Sequence, residues 1–360
     1  MGLKQKIKEA KTLLQEKLDK ASKNRLAVNV CMLGARGVGK TSVLCAILDD
    51  ARSMGGFVRT KVQFLAKNDT RDRLYDLRSK LGKAFDDKTD IAAIPPSKGI
   101  AEYDFEVGLV GMPPNIDVTV TDYPGEQLQM DPDLVSERIK NSYAIIVAID
   151  APYVMEEEGI YNEEKNQTKL VSKFILDNIE SFKNKLVIFV PLKCEKYLDL
   201  KTPIEKRVDR SEELARKVVE ECYKGAITSL KETNNTAVAI TPILTVGGVA
   251  FDHFENGEFG NKVAKYRFYD GVTQNGDRAK YQPQFCSQPI FYLLSFMTQC
   301  FERHRNSARG LTALLQSLSD FYKHNEEFFL EMKEIDRHRL KDTLGFKVIC
   351  GEHLFYSKNS

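Results

Sequence analysis

Apolar positions along the chain follow two periods. Runs rich in Val, Ile, Leu and aromatic residues at 26–33, 100–110, 116–121, 144–149, 186–190 and 238–243 have the length and flanking breaks of β-strands. Between them the spacing changes to three and four. Val43, Leu44, Ile47 and Leu48 predict a helix over 41–52, and Leu170, Val171, Phe174, Ile175 and Ile179 predict one over 166–182. The same period covers 204–232 and 289–303. Strands that alternate with helices predict an α/β fold with a mostly parallel sheet covered on both faces. One strand departs from that rule. In 100–110, Tyr103, Phe105, Val107 and Leu109 alternate with Glu102, Asp104 and Glu106, and only residues 111–115 separate it from the next strand. A link that short demands an antiparallel hairpin.

Four stretches fall outside the alternation. Leu3, Ile7, Ala10, Leu14, Leu18 and Ala21 form a narrow stripe among Lys and Glu, so residues 1–24 are expected to be an amphipathic helix. It packs either on its own domain or against a second copy as a short coiled coil. Residues 53–97, a charged excursion ending in Ile94-Pro95-Pro96-Ser97, and residues 251–287, Gly- and aromatic-rich with too few aliphatics for a helix, read as insertions in a domain spanning 25–305. Residues 306–360 read as a C-terminal extension. It has a helical stripe (Leu311, Leu314, Leu315, Leu318, Phe321, Phe328, Phe329, Met332, Ile335) followed by two short strand-like runs around Gly351.

Between the first strand and the first helix stands Gly34-Ala35-Arg36-Gly37-Val38-Gly39-Lys40-Thr41-Ser42. A polyphosphate packs several negative charges into a small volume, so its binding loop must present many backbone N–H donors without side-chain obstruction. Gly34, Gly37 and Gly39 allow that approach, and the following helix aims its positive end at the same point. Lys40 is spaced to bridge β- and γ-phosphates, and the Thr41 hydroxyl to meet Mg²⁺. The expected fold is therefore a P-loop NTPase three-layer sandwich with one antiparallel hairpin strand and helical extensions at both ends. Arg36 either points to solvent or acts in cis as an arginine finger on transition-state charge.

Asp122-Tyr123-Pro124-Gly125-Glu126-Gln127 ends the strand after the hairpin. Asp122 there can hold the Mg²⁺ shell through water, and the Gly125 N–H can sense a γ-phosphate. Leu192-Lys193-Cys194-Glu195 follows the 186–190 strand. Glu195 offers a carboxylate acceptor there and Lys193 a long apolar stem. Thr245-Val246-Gly247-Gly248, after the last strand, is a candidate source of backbone donors to the base oxygen.

With these motifs in this order, residues 26–303 resemble the TRAFAC class of P-loop GTPases, in which a β-hairpin precedes the D-x-x-G loop. The resemblance implies that Lys40 and Thr41 are the P-loop lysine and the metal ligand, and that Asp122 and Gly125 belong to switch II. Glu126 falls where many members carry the glutamine that orients attacking water, with Gln127 one position later. It also implies a switch I hydroxyl just before the hairpin; Ser97 is the best placed, with Thr89 and Thr70 as alternatives. Leu192, Lys193 and Glu195 stand where the class usually has Asn, Lys and Asp, which implies that the Glu195 carboxylate accepts from guanine N1–H and its exocyclic amine, which adenine does not offer, while the Lys193 stem covers the base plane. The Asp122-Tyr123-Pro124-Gly125-Glu126 form, the 241–248 strand end and the 281–290 segment look most like bacterial double-GTPase-type domains of conflict and antiphage defence systems. That likeness implies a GTP/GDP switch that partners other proteins.

Composition narrows the alternatives. The 360 residues hold 42% apolar side chains, enough for a large core, and 53 Lys and Arg against 51 Asp and Glu give a net +2, so nucleic acid is not an expected partner. Seven cysteines without metal-ligand spacing fit a reducing cytoplasm, and the five histidines have no ligand spacing either. Lys6 stands where N-myristoylation needs Ser or Thr, no secretory signal follows it, and the apolar run 290–297 is too short to span a bilayer. Two other readings remain open at this stage: an ATP-using P-loop enzyme, favoured by the missing asparagine, and a scaffold that binds nucleotide for structure only.

Overall fold

The computed structural model describes residues 25–52, 61–87, 99–198, 203–257, 260–268, 281–305, 325, 327–332 and 344–355. The N-terminal stripe, Thr89, Ser97 and most of the 306–343 stretch lie outside the described residues, so the helix, switch I and dimerisation expectations on them are not addressed. β1 (Leu26–Leu33), β2 (Val62–Ala66), β3 (Ala101–Leu109), β4 (Ile116–Asp122), β5 (Ala144–Asp150), β6 (Leu186–Leu192) and β7 (Ala237–Ile240) belong to the main sheet. β8 (Val249–Asn256) and β9 (Lys262–Phe268) form a separate hairpin, and β10 (Lys347–Cys350) returns to the main sheet. The order across its eight strands is β10-β7-β6-β5-β1-β4-β3-β2. β4, β1, β5, β6 and β7 run parallel, and β2, β3 and β10 are antiparallel to their neighbours.

Side chains leave each strand alternately to two cores. Val28, Val30 and Met32 of β1 enter one, with helices α1 (Lys40–Arg52) and α2 (Asn68–Asp87). Cys31 and Leu33 enter the other, with α3 (Pro132–Lys140), α4 (Thr168–Asp177), α5 (Ile204–Arg216) and α6 (Lys224–Glu232). The first core is closed by α7 (Gln288–Arg305), whose Ile290, Phe291, Leu294 and Met297 are buried. This is the expected α/β sandwich with its antiparallel β3–β4 hairpin.

Local chemistry moves several boundaries. α4 stops at Asp177 because the Asn178 amide donates to Phe174 O at 3.0 Å, competing for a helix carbonyl. The expected 204–232 helix is interrupted by a π turn at Lys217–Cys222, where Tyr223 N–H reaches back to Val218 O, and the bulge lets the buried Tyr223 ring meet Phe189 at 5.1 Å. The 53–97 excursion contains β2 and α2. The α2 stripe of Leu74, Leu77, Leu81 and Phe85 is buried, and Thr70 Oγ1 accepts the Asp104 N–H at 2.8 Å, which commits Thr70 to joining α2 to β3 rather than to a metal.

The expected strand pair around Gly351 is also corrected. Lys347–Cys350 joins β7 at the sheet edge, and the chain turns at Gly351 (φ +76) into a 3₁₀ turn whose Leu354 and the following Phe355 are buried beside α7. In the described part of the C-terminal stripe, Phe328, Phe329 and Met332 already belong to the first core, and Asn115 donates to Asn325 at 2.6 Å. Among the described residues, no helix is long and apolar enough to cross a membrane.

Asp50, buried at the end of α1, accepts from both the main-chain N–H (2.8 Å) and the hydroxyl (2.6 Å) of Ser287, just before α7. Asp50→Ala would strand both donors and lower stability by about 2–4 kcal/mol, read as a lower denaturant midpoint with an unchanged slope.

Candidate phosphate-binding site

Parallel register brings the carboxyl ends of β1, β4, β5 and β6 to one rim. Met32 pairs with Asp122 and Leu33 with Val147, so the chain leaves β1 at Gly34 between the ends of its two neighbours. Gly34 has φ +142, and a Cβ there would sit 2.7 Å from Ala148 O; only glycine makes that turn. Val38 is fully buried and pins the loop to the core. Above the rim lies a cavity of about 430 Å³. Its floor is the 36–42 loop, including Ser42; its walls are residues 122–126, Asp150, Lys193 and the β8–β9 hairpin. The hairpin is held by Tyr153, whose hydroxyl donates to Lys262 O (2.9 Å) and accepts from Ala264 N–H (3.0 Å).

Lys40, Thr41, Asp122 and Gly125 come together in this cavity. Lys40 Nζ is buried, donates to Gly34 O (2.9 Å) and Ala35 O (3.1 Å), and stands 4.0 Å from Asp122 Oδ1. Burial lowers its pKa, and the Asp122 and Glu126 carboxylates oppose that shift. The Thr41 hydroxyl donates to Asp122 Oδ2 at 2.9 Å. This hydroxyl and carboxylate form an oxygen-only pair suited to a hard cation, while no group of three or more His, Cys, Asp or Glu among the described residues could hold a metal. A divalent ion here would therefore take its remaining ligands from phosphate and water, as Mg²⁺ does.

A Cβ on Gly125 would lie 2.5 Å from Arg36 N, so the 122–126 loop rests directly on the phosphate loop. Across this contact Arg36 pairs with Glu126 at 2.9 Å, both side chains open to solvent. The two residues expected to act on a γ-phosphate and on water are thus bonded to each other. Gln127 begins the short helix Gln127–Met130 and does not line the cavity.

At the far end of the cavity, Lys193 takes φ +59, its N–H donates to Thr245 Oγ1 (3.0 Å) and its ammonium pairs with Asp150. Leu192 replaces a polar tie with apolar contact, its Cδ1 lying 3.4 Å from where Gly39 would carry a Cβ. Glu195 is 2% exposed, and its Oε1 accepts from Val246 N–H (2.8 Å) and Gly247 N–H (3.1 Å). Burial raises its pKa and those two bonds oppose the rise. The Val246 and Gly247 donors, expected to face a base oxygen, are thus already engaged by Glu195.

Asp150, Lys165, Tyr153 and Tyr266 also line the cavity, and no motif pointed to them. Lys165 belongs to the short helix Asn162–Asn166 and sits in an acidic, polar run that reads as solvated surface. In the fold its Nζ is 3.2 Å from the position of a Gly37 Cβ and 5.7 Å above the Tyr153 ring, and it makes no ion pair among the described residues. Burial, then the neighbouring Lys193, lowers its pKa, with Asp150 opposing.

No family model and no curated protein matches the sequence. Among solved structures the chain is similar to the Saccharomyces cerevisiae Ski7 GTPase-like domain bound to GTP, at 17% identity over 63% of this chain and 44% of that one, with a TM-score of 0.35. The same domain bound to GDP and inorganic phosphate gives 16% identity, 81% and 53% coverage and 0.38. A bacterial selenocysteine-specific elongation factor, EF-Sec, gives 15%, 61%, 26% and 0.29. The chain thus spans about half or less of the length of these structures. Superpositions this loose carry no argument about ligand or activity, which rest on the site itself.

Lys165→Met removes a half-buried ammonium that sits beside Gly37 of the 34–42 loop. Its affinity for tripolyphosphate, measured by calorimetry, should fall by about tenfold or more, from about 1.5–3 kcal/mol per charge-assisted contact. The melting temperature of the ligand-free protein should hold or rise, because the ammonium makes no ion pair there.

Proposed function

We propose that this protein is a Mg²⁺-dependent guanine-nucleotide switch that binds GTP over the 34–42 loop, hydrolyses it slowly and signals its state to protein partners. The observation that carries the reading is the convergence of Lys40, Thr41, Asp122 and the close-packed Gly125 on one cavity. Mg²⁺, when bound, would neutralise phosphate charge and orient it for attack. Lys40 and Lys165 would bind the anion, while Thr41 and Asp122 would supply oxygen ligands. Glu126 bonded to Arg36 supports slow turnover, since neither side chain is then poised on water or the γ-phosphate. Entry of a γ-phosphate competes for Arg36, which would release Glu126 and shift the 122–130 segment presented to a partner. The setting implied by the double-GTPase likeness, a bacterial defence system, is part of this proposal.

The engagement of Glu195 by Val246 and Gly247 favours a second reading, an ATP-using P-loop enzyme with little base discrimination. Titration with fluorescent GTP and ATP analogues separates the two. The switch reading expects GTP to bind at least tenfold tighter, with most of the affinity lost on chelating Mg²⁺ and in Lys40→Ala. Equal affinities would refute the guanine assignment. Undiminished binding in Lys40→Ala would remove the phosphate site.

A further inference from the structure

We infer that Asp150, seconded by Tyr266, reads the nucleoside through a hydrogen-bond donor on the base or ribose, while Glu195 serves to hold the 245–247 loop. This assignment rests on the proposal that the cavity takes a nucleotide.

Asp150 closes β5 and is completely buried. Its Oδ2 pairs with Lys193 Nζ, whereas its Oδ1 has no hydrogen-bond partner. Its main chain is locked in place. Asp150 N–H donates to Asn166 Oδ1 (2.8 Å), the Asn166 amide donates back to Asp150 O (3.1 Å), and Asn166 also donates to Asn162 Oδ1 (2.8 Å). A rigidly held, desolvated carboxylate oxygen without a donor is costly and uncommon unless something else supplies the donor.

The Tyr266 hydroxyl, on β9 in the lining of the same cavity, is another such atom. It is buried and without a partner, and the ring lies under Lys193 Nζ at 5.6 Å. Burial and the nearby Asp150 keep the phenol protonated, so it remains able to donate as well as accept. Glu195 differs from both. One of its oxygens already bears two main-chain N–H groups, which makes it a clamp on the loop beyond β7.

An ionised carboxylate only accepts. The ligand group it faces must therefore carry N–H or O–H. Guanine offers N1–H and its 2-amine, and ribose offers two hydroxyls. The end of β5 and the hairpin line the same cavity as the 34–42 loop and Lys165, so a nucleotide with its phosphates on that loop would have room for its nucleoside against them.

The test uses the full chain and its Asp150→Asn, Tyr266→Phe and Glu195→Gln variants. Each is titrated with GDP, xanthosine diphosphate, 2′-deoxy-GDP, ADP and pyrophosphate. Asp150→Asn should lose at least tenfold in GDP affinity while pyrophosphate stays within about threefold. A rise in the xanthosine-to-guanosine diphosphate ratio assigns the contact to the base edge, because an amide can donate to the 2-oxo group. A loss of the preference for GDP over 2′-deoxy-GDP assigns it to ribose. Tyr266→Phe, which preserves shape, should weaken GDP by about three- to tenfold, again sparing pyrophosphate. Glu195→Gln should weaken the nucleotides together without changing their order. If Asp150→Asn and Tyr266→Phe fold and keep every nucleoside ratio, or if Glu195→Gln alone shifts the xanthosine preference, the assignment is overturned. Failure of the wild-type chain to bind GDP, ADP or pyrophosphate overturns the nucleotide reading itself, and this assignment with it.

Discussion

Parallel hydrogen bonding of β1 to β4 and β5 sets the position of the Lys40 loop, of Asp122 and of Asp150. The pairing of Met32 with Asp122 and of Leu33 with Val147 delivers the phosphate loop, the Asp122 carboxylate and the Asp150 carboxylate to the same rim. Strand side chains alternate, so a slip of one residue would exchange the two cores and turn Val28, Val30 and Met32 toward helices built for Cys31 and Leu33. The buried aliphatic faces therefore hold the register, and the register holds the site.

Charge is the second constraint. Lys40, Lys165 and Lys193 bring three ammonium groups to one partly dry cavity, where burial works against each charge it does not pair. Asp122 and Asp150 answer Lys40 and Lys193. Among the described residues Lys165 is answered by the Tyr153 ring and by two carboxylates, Asp150 and Glu164, that form no ion pair with it. An anion on the loop would relieve that imbalance, which is the electrostatic sense of the arrangement. The exposed Arg36–Glu126 pair is different in kind, since a solvated ion pair contributes about 0–1 kcal/mol and is easily exchanged for another partner.

Around this centre the surrounding loops are bonded to one another as much as to any ligand. Residues 122–126 lie on the phosphate loop at Gly125, Glu195 clamps residues 246 and 247, and Leu192 joins the far loop to Gly39 through apolar contact. The hairpin arches over all of them on the two hydrogen bonds of the Tyr153 hydroxyl.

The elements with strong internal period were legible from sequence: β1, β4, β5 and β6, the β3–β4 hairpin, α1 and α7. Each buries a face whose pattern is written in consecutive residues. The 34–42 loop was legible too, because its glycines and the adjacent Lys40 and Thr41 form one contiguous run. β2 and α2 were not read out of a charged stretch, since a short edge strand and a helix with one apolar stripe are dominated by solvated residues. The aromatic segment after β7 became a hairpin because Phe251, Phe254 and Tyr266 find each other and Tyr153 only when folded. Sequence alone determined that a Gly-rich loop ending in Lys40-Thr41 joins β1 to α1. Tertiary structure alone decided that Glu195 bonds the 246–247 backbone, that Arg36 bonds Glu126, and that Asp150, Lys165 and Tyr266 face the same cavity. Those contacts join residues tens to more than a hundred positions apart, and hydrogen bonds and desolvation act on distance in space, which no local pattern records.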